Sequence, residues 1–127
     1  MKNHKKLTKW VIGLVLASIF ITACGSASAS GPQFPTGKFT LKTDQDIYYA
    51  FNGNKTWSYH YYGEIGAQGK YSIKGNLYTE KGTDECRFPG TYEWTFDGSN
   101  LTFKLVGEDK CDPRREATDG MTYVLQK

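Results

Sequence analysis

An all-β domain, a small antiparallel up-and-down barrel of about eight strands, is the fold that this 127-residue sequence predicts. Three observations carry it. From Gly37 onward apolar residues recur with period two, the spacing of strands buried on one face. Glycine-containing turns separate these runs at short intervals, so sequence neighbours should pair as an antiparallel meander. An open sheet of that many strands would leave two raw edges, which closure removes, with a small two-sheet sandwich as the alternative.

The strands read off in order. Phe39 and Leu41 alternate with Lys38, Thr40 and Lys42 in the first, and Ile47, Tyr49 and Phe51 share one face of the second. After Asn52-Gly53-Asn54, Trp57, Tyr59 and Tyr61 alternate with Ser58, His60 and Tyr62; Tyr71 and Ile73 then mark a fourth strand. Past the Lys74-Gly75-Asn76 turn, Leu77 and Thr79 define the inner face of a short fifth strand, which puts Tyr78 outside. Following Lys81-Gly82, Tyr92, Trp94 and Phe96 form the sixth. Asp97-Gly98-Ser99-Asn100 reverses the chain into Leu101, Phe103 and Leu105, and Met121, Tyr123 and Leu125 make the last strand. The alternation lapses between Cys111 and Gly120, where Asp112 and Pro113 suit a helix N-cap and first helical position and Gly120 suits a stop. A turn or two of helix there would plug one end of the barrel. The tripeptides Asn54-Lys55-Thr56 and Asn100-Leu101-Thr102 fit the glycosylation pattern and read here as turn chemistry.

Ahead of the domain, Lys2, Lys5, Lys6 and Lys9 form a positive head followed by an uncharged, largely apolar run from Trp10 to Ala23. This is the anatomy of an export signal. The run is short of the about 20 residues a membrane-spanning helix needs, which disfavours an uncleaved anchor. Ile21-Thr22-Ala23-Cys24 resembles the lipobox of bacterial lipoproteins. That resemblance implies removal of residues 1–23, a lipid on Cys24, and a protein held on the extracytoplasmic side of a bacterial membrane. Residues 24–36, opening Gly25-Ser26-Ala27-Ser28-Ala29-Ser30, read as a flexible tether, and 37–127 as the barrel domain.

The signal holds four of the 16 lysines and arginines, so 12 basic residues face 13 acidic ones in the remainder. A nucleic-acid partner, which calls for a basic face, is therefore not expected. With Cys24 assigned to lipid, Cys86 and Cys111 remain, and an exported compartment allows them to form a disulfide. A redox or metal pair is the rival, lacking Cys-x-x-Cys spacing and a nearby histidine.

The run Gly37-Lys38-Phe39-Thr40-Leu41, Cys86 ahead of Gly90-Thr91-Tyr92-Glu93-Trp94, Asp97-Gly98 with Leu101-Thr102-Phe103, and Asp109-Lys110-Cys111 with Arg114-Arg115 resembles the lipocalin-like (calycin) small barrels of bacteria. The resemblance implies binding of a small apolar or amphipathic ligand inside the barrel. It also implies a lock in which an arginine packs across a first-strand aromatic; here Phe39 stands where the family usually has tryptophan, and Arg114 or Arg115 would supply the guanidinium.

Candidate ligand-binding residues are the inward aromatics Tyr49, Phe51, Trp57, Tyr59, Tyr61, Tyr71, Tyr92, Trp94 and Phe96, which offer apolar area with a few phenolic handles. The same residues could instead fill an eight-stranded barrel completely. In that case outer tyrosines Tyr48, Tyr62 and Tyr78 would point to an interaction or inhibitor module with a protein or envelope partner. Catalysis is not expected: His60 is the one histidine past the signal and has no nucleophile beside it in sequence. No metal cluster or cofactor motif is present in the sequence.

Overall fold

Strands β1 (Gly37–Leu41), β2 (Asp44–Phe51), β3 (Thr56–Tyr61), β4 (Glu64–Lys74), β5 (Leu77–Glu80), β6 (Gly90–Phe96), β7 (Asn100–Leu105) and β8 (Thr122–Leu125) follow one another around a closed barrel in chain order. All neighbours are antiparallel, and β8 pairs with both β7 and β1. The computed structural model describes residues 32–127; the export signal, Cys24 and most of the tether lie outside them. One helix, α1 (Asp112–Thr118), precedes β8. The up-and-down order gives the barrel two poles: α1 and the β1–β2, β3–β4 and β5–β6 connections at the upper one, and the β2–β3, β4–β5 and β6–β7 turns at the lower one.

Turn chemistry fixes the register. At the lower pole Oδ1 of Asp97 accepts from the backbone N–H groups of Ser99 and Asn100 at 2.9 and 2.7 Å, and Oδ1 of Asn54 accepts from the Thr56 hydroxyl at 2.6 Å. At the upper pole Tyr62 and Gly63 both have positive φ, 46° and 86°. Two such residues in a two-residue loop match the twist of the strands they join.

Helix α1 begins one residue earlier than the Asp112 cap that the sequence suggests. Cys111 occupies the N-cap position, its carbonyl accepting from the Arg115 N–H at 3.0 Å. The Cys111 N–H is held by Oδ1 of Asp109 at 2.9 Å, which fixes the chain entering the helix, while no side chain caps the first turn.

The upper half of β4 has a partner on one side. Residues 64–70 pair with β3, whereas β5 reaches no further than Tyr71–Lys74, with one more bond from the Lys81 N–H to the Lys70 carbonyl at 2.9 Å. Above that point the segment 81–86 faces β4 in place of a strand. It is tied to the start of α1 by the Cys86–Cys111 disulfide.

The lower half of the interior is solid. Phe34, assigned from sequence to the tether, is 7 % exposed and stands 5.1 to 5.3 Å, centroid to centroid, from Phe51, Tyr71, Tyr78 and Trp94. The folded unit therefore starts before residue 37. Tyr78 is also corrected: it is fully buried, because β5 turns Tyr78 and Glu80 inward and leaves Leu77 and Thr79 half-buried on the other face.

Candidate functional site

Above this aromatic plug the barrel is hollow. A cavity of about 550 Å³ lies between α1, the upper ends of β1 to β4 and the segment ending at Cys86. Its apolar wall comes from Leu41, Ile47, Trp57, Tyr59, Ala67 and Met121, and its polar groups from Tyr49, Glu80, Arg114 and Tyr123. Trp57 can lie against the wall because its partner across the ladder is Gly69; a Cβ there would come within 3.3 Å of the indole nitrogen and 3.0 Å of the Thr83 methyl. That nitrogen has no hydrogen-bond partner among the described residues, as is also true of Trp94 in the plug. A buried donor without an acceptor costs about 1–3 kcal/mol.

Glu80 forms the floor. It is 1 % exposed, and its Oε1 accepts from the hydroxyls of Tyr78 at 2.9 Å and Tyr49 at 3.3 Å. Tyr49 also exchanges a hydrogen bond with the Thr118 hydroxyl of α1 at 3.0 Å. Burial pushes the Glu80 carboxyl up to about 7, against the downward pull of the Tyr78 hydrogen bond, the Arg114 charge and the Tyr49 hydrogen bond. Burial, followed by the Glu80 charge, likewise holds the Tyr49 and Tyr78 phenols well above their ordinary range.

Behind the floor stands an ion pair. Nε and Nη2 of Arg114 donate to Oδ2 and Oδ1 of Asp109 at 2.7 and 2.6 Å, the bidentate geometry of a strong carboxylate contact. Nη2 also donates to the Phe88 carbonyl at 2.7 Å. The Tyr92 hydroxyl completes the group on Asp109. Burial works to raise the Asp109 carboxyl, but hydrogen bonds from Arg114, Tyr92 and the Cys111 N–H prevail and hold it below its usual value. Gly90 makes the arrangement possible, since a Cβ there would run into both the Asp109 carboxylate and the Arg114 guanidinium.

The nine aromatics singled out from sequence are not all at the cavity. Tyr49, Trp57, Tyr59 and Tyr61 reach the cavity, Tyr61 at its rim and 53 % exposed. Phe51, Tyr71 and Trp94 pack around Phe34, Phe96 lies beside Phe39 at 5.9 Å, and Tyr92 serves Asp109. Phe39 and the two arginines are not brought together. Phe39 packs on Phe51 and Phe96, Arg114 pairs with Asp109, and Arg115 pairs with Asp112 at 2.7 Å. Among the described residues the cations over ring faces are Lys38 on Tyr48 and Lys110 on Phe88. Tyr48 is on the outer face, stacked on His60 with centroids 4.2 Å apart; Tyr62 is exposed and donates to Asp44 at 2.8 Å.

Glu80, Asp109, Thr118, Met121 and Tyr123 are site residues that strand periodicity does not single out as binding groups. Comparison of the chain with family models, with curated proteins and with solved structures yields no match.

Proposed function

We propose that this protein is a non-catalytic binding barrel that holds a small amphipathic molecule in its upper half. The supporting observation is the cavity itself: about 550 Å³, walled by aromatic and aliphatic side chains, with polar groups such as Tyr49, Glu80 and Arg114 among them. That size and composition are those of small-molecule sites. The aromatic plug beneath it supplies the fold's rigidity, so the upper half need not be filled for the barrel to stand.

Titration of the full chain with a neutral environment-sensitive dye such as Nile red tests this. Saturable one-to-one binding that quenches Trp57 and raises the melting temperature is expected, and Ala67→Phe, which fills the cavity from β4, should abolish it. Dye binding that survives Ala67→Phe would place the ligand on the outside. The exposed rim side chains Tyr61, Tyr62 and Ile65 would then favour a partner-binding surface.

We also propose, from the sequence, that the barrel is displayed on the extracytoplasmic side of a bacterial membrane through a lipid on Cys24. No described helix is long and apolar enough to span a membrane. Replacing Cys24 with serine should give an unlipidated, unprocessed product in a metabolic lipid-labelling experiment; normal labelling would refute the anchor.

A further inference from the structure

The charge balance of the wall narrows what the cavity can hold. Among the described residues Arg114 is the one basic side chain lining it, and its guanidinium is already matched by both oxygens of Asp109. Glu80 has no such match. Its described partners are the neutral hydroxyls of Tyr78 and Tyr49, and Glu85 and Glu116 add two further carboxylates to the lining. With the Arg114–Asp109 pair neutral as a unit, the cavity carries an excess of negative charge.

The aromatic wall acts in the same sense. Tyr49 stands 5.0 Å from Tyr59, 5.1 Å from Tyr123 and 5.8 Å from Trp57, centroid to centroid, in tilted and edge-on arrangements. Ring faces carry partial negative charge and attract cations, most strongly where water is excluded.

We propose that the occupant is an organic ammonium, an aromatic or alkyl amine whose charged nitrogen meets the Glu80 carboxylate and whose body lies among Tyr49, Trp57, Tyr59 and Tyr123. This rests on the binding-barrel reading and names the ligand class for the same cavity. An ammonium there supplies the counter-charge that a buried carboxylate lacks. It also accounts for a carboxylate at a position where a neutral residue would cost the fold less.

The groups around Glu80 are Tyr49 from β2, Tyr78 from β5, Tyr92 from β6, Tyr123 from β8, Arg114 and Thr118 from α1, and Asp109 just before it. The tyrosines named here have raised values and stay neutral across the working range, and the Asp109–Arg114 pair stays charged. Glu80 is therefore the group of this set that changes charge near neutrality.

Calorimetric titration of the full chain with three probes of one shape tests the ligand class: 1-naphthylmethylammonium, 1-naphthalenemethanol and 1-naphthoate. At pH 8 the ammonium should bind at least tenfold more tightly than the alcohol, with the naphthoate weakest. Most of the preference should be lost at pH 5.5, where Glu80 is protonated, and in Glu80→Gln, leaving the weaker pull of the exposed rim carboxylates Glu85 and Glu116, while alcohol binding persists in both. Alcohol binding with no preference for the ammonium, or a preference for naphthoate, would overturn the inference and leave the binding-barrel reading standing. Failure of all three to bind would overturn it as well, and the neutral-dye titration decides separately whether the cavity reading falls with it. Should Glu80→Gln not fold, the pH comparison on the unaltered chain distinguishes the same outcomes.

Discussion

At the scale of single residues, Glu80 is both the least foldable and the most informative side chain in the barrel. Its carboxyl, at about 4.5 in an open chain, is pushed to about 7 by burial in the folded protein. Below about pH 4.5 it is neutral in both states. Between there and about 7 the folded state holds a proton that the unfolded state has released, so stability falls as pH rises through this window and levels off above it. Glu80→Gln keeps an acceptor for Tyr49 and Tyr78 but removes the titration. Its melting temperature should stay flatter from pH 4.5 to 7 than that of the unaltered protein and exceed it at pH 8. A variant that melts lower at pH 8 would show that the ionised carboxylate stabilises the fold. Glu80 also explains why the fifth strand reads inside out from its sequence. In Leu77-Tyr78-Thr79-Glu80 the usual rule puts the charged residue outside, and with it Tyr78; the structure puts both inside. Period-two reasoning fails where a buried charge sits in a strand, and such places concentrate function.

Among the elements, the strands with alternating aromatics, β2, β3 and β6, are legible in the sequence because most inward positions hold a large ring. The upper half of β4 is not: Gly66, Ala67, Gln68 and Gly69 carry no alternation, and this segment is a strand because β3 pairs along it, with a bulge at the unpaired Gly66. Its small side chains make room for the Trp57 indole, so the stretch that looks least structured shapes the cavity wall. The facing segment 81–86 has little apolar burial of its own. The disulfide holds it to α1, across a separation of 25 residues, and α1 in turn roofs the cavity. A cross-link closing a loop of that size stabilises by roughly 3–4 kcal/mol in the chain-entropy model. Cys86→Ala, Cys111→Ala and the double variant should all lose about the same amount in denaturant unfolding, since each removes the same bond. Additive losses would show that the two side chains contribute separately. Dye affinity should fall alongside, because the roof and one side of the entrance lose their tie.

For the molecule as a whole, the closed topology follows from the short connections, and the composition limits the domain to a single core. The division of that core into a solid lower half and a hollow upper half is not written in the periodicity. It depends on Phe34, a residue outside any strand that enters from below and completes the plug. Phe34→Ala should destabilise the barrel by about 3–5 kcal/mol, in line with truncation of a buried aromatic ring. For a domain of this size that corresponds to a fall in melting temperature of more than about 10 °C in a calorimetric scan. An unchanged melting temperature would mean that the plug stands without it.

The placement of Phe34 has a consequence for the display proposed above. Phe34 packs at the pole opposite the cavity, so under the proposed anchoring at Cys24 the barrel would be attached at the end away from its opening. Phe34 lies ten positions after Cys24, and at no more than about 3.5 Å per step a lipid on Cys24 would keep the barrel within roughly 35 Å of the membrane. Under that proposal the mouth would point on average away from the bilayer. It would sample solutes from the surrounding medium instead of extracting them from the lipid to which it is fastened.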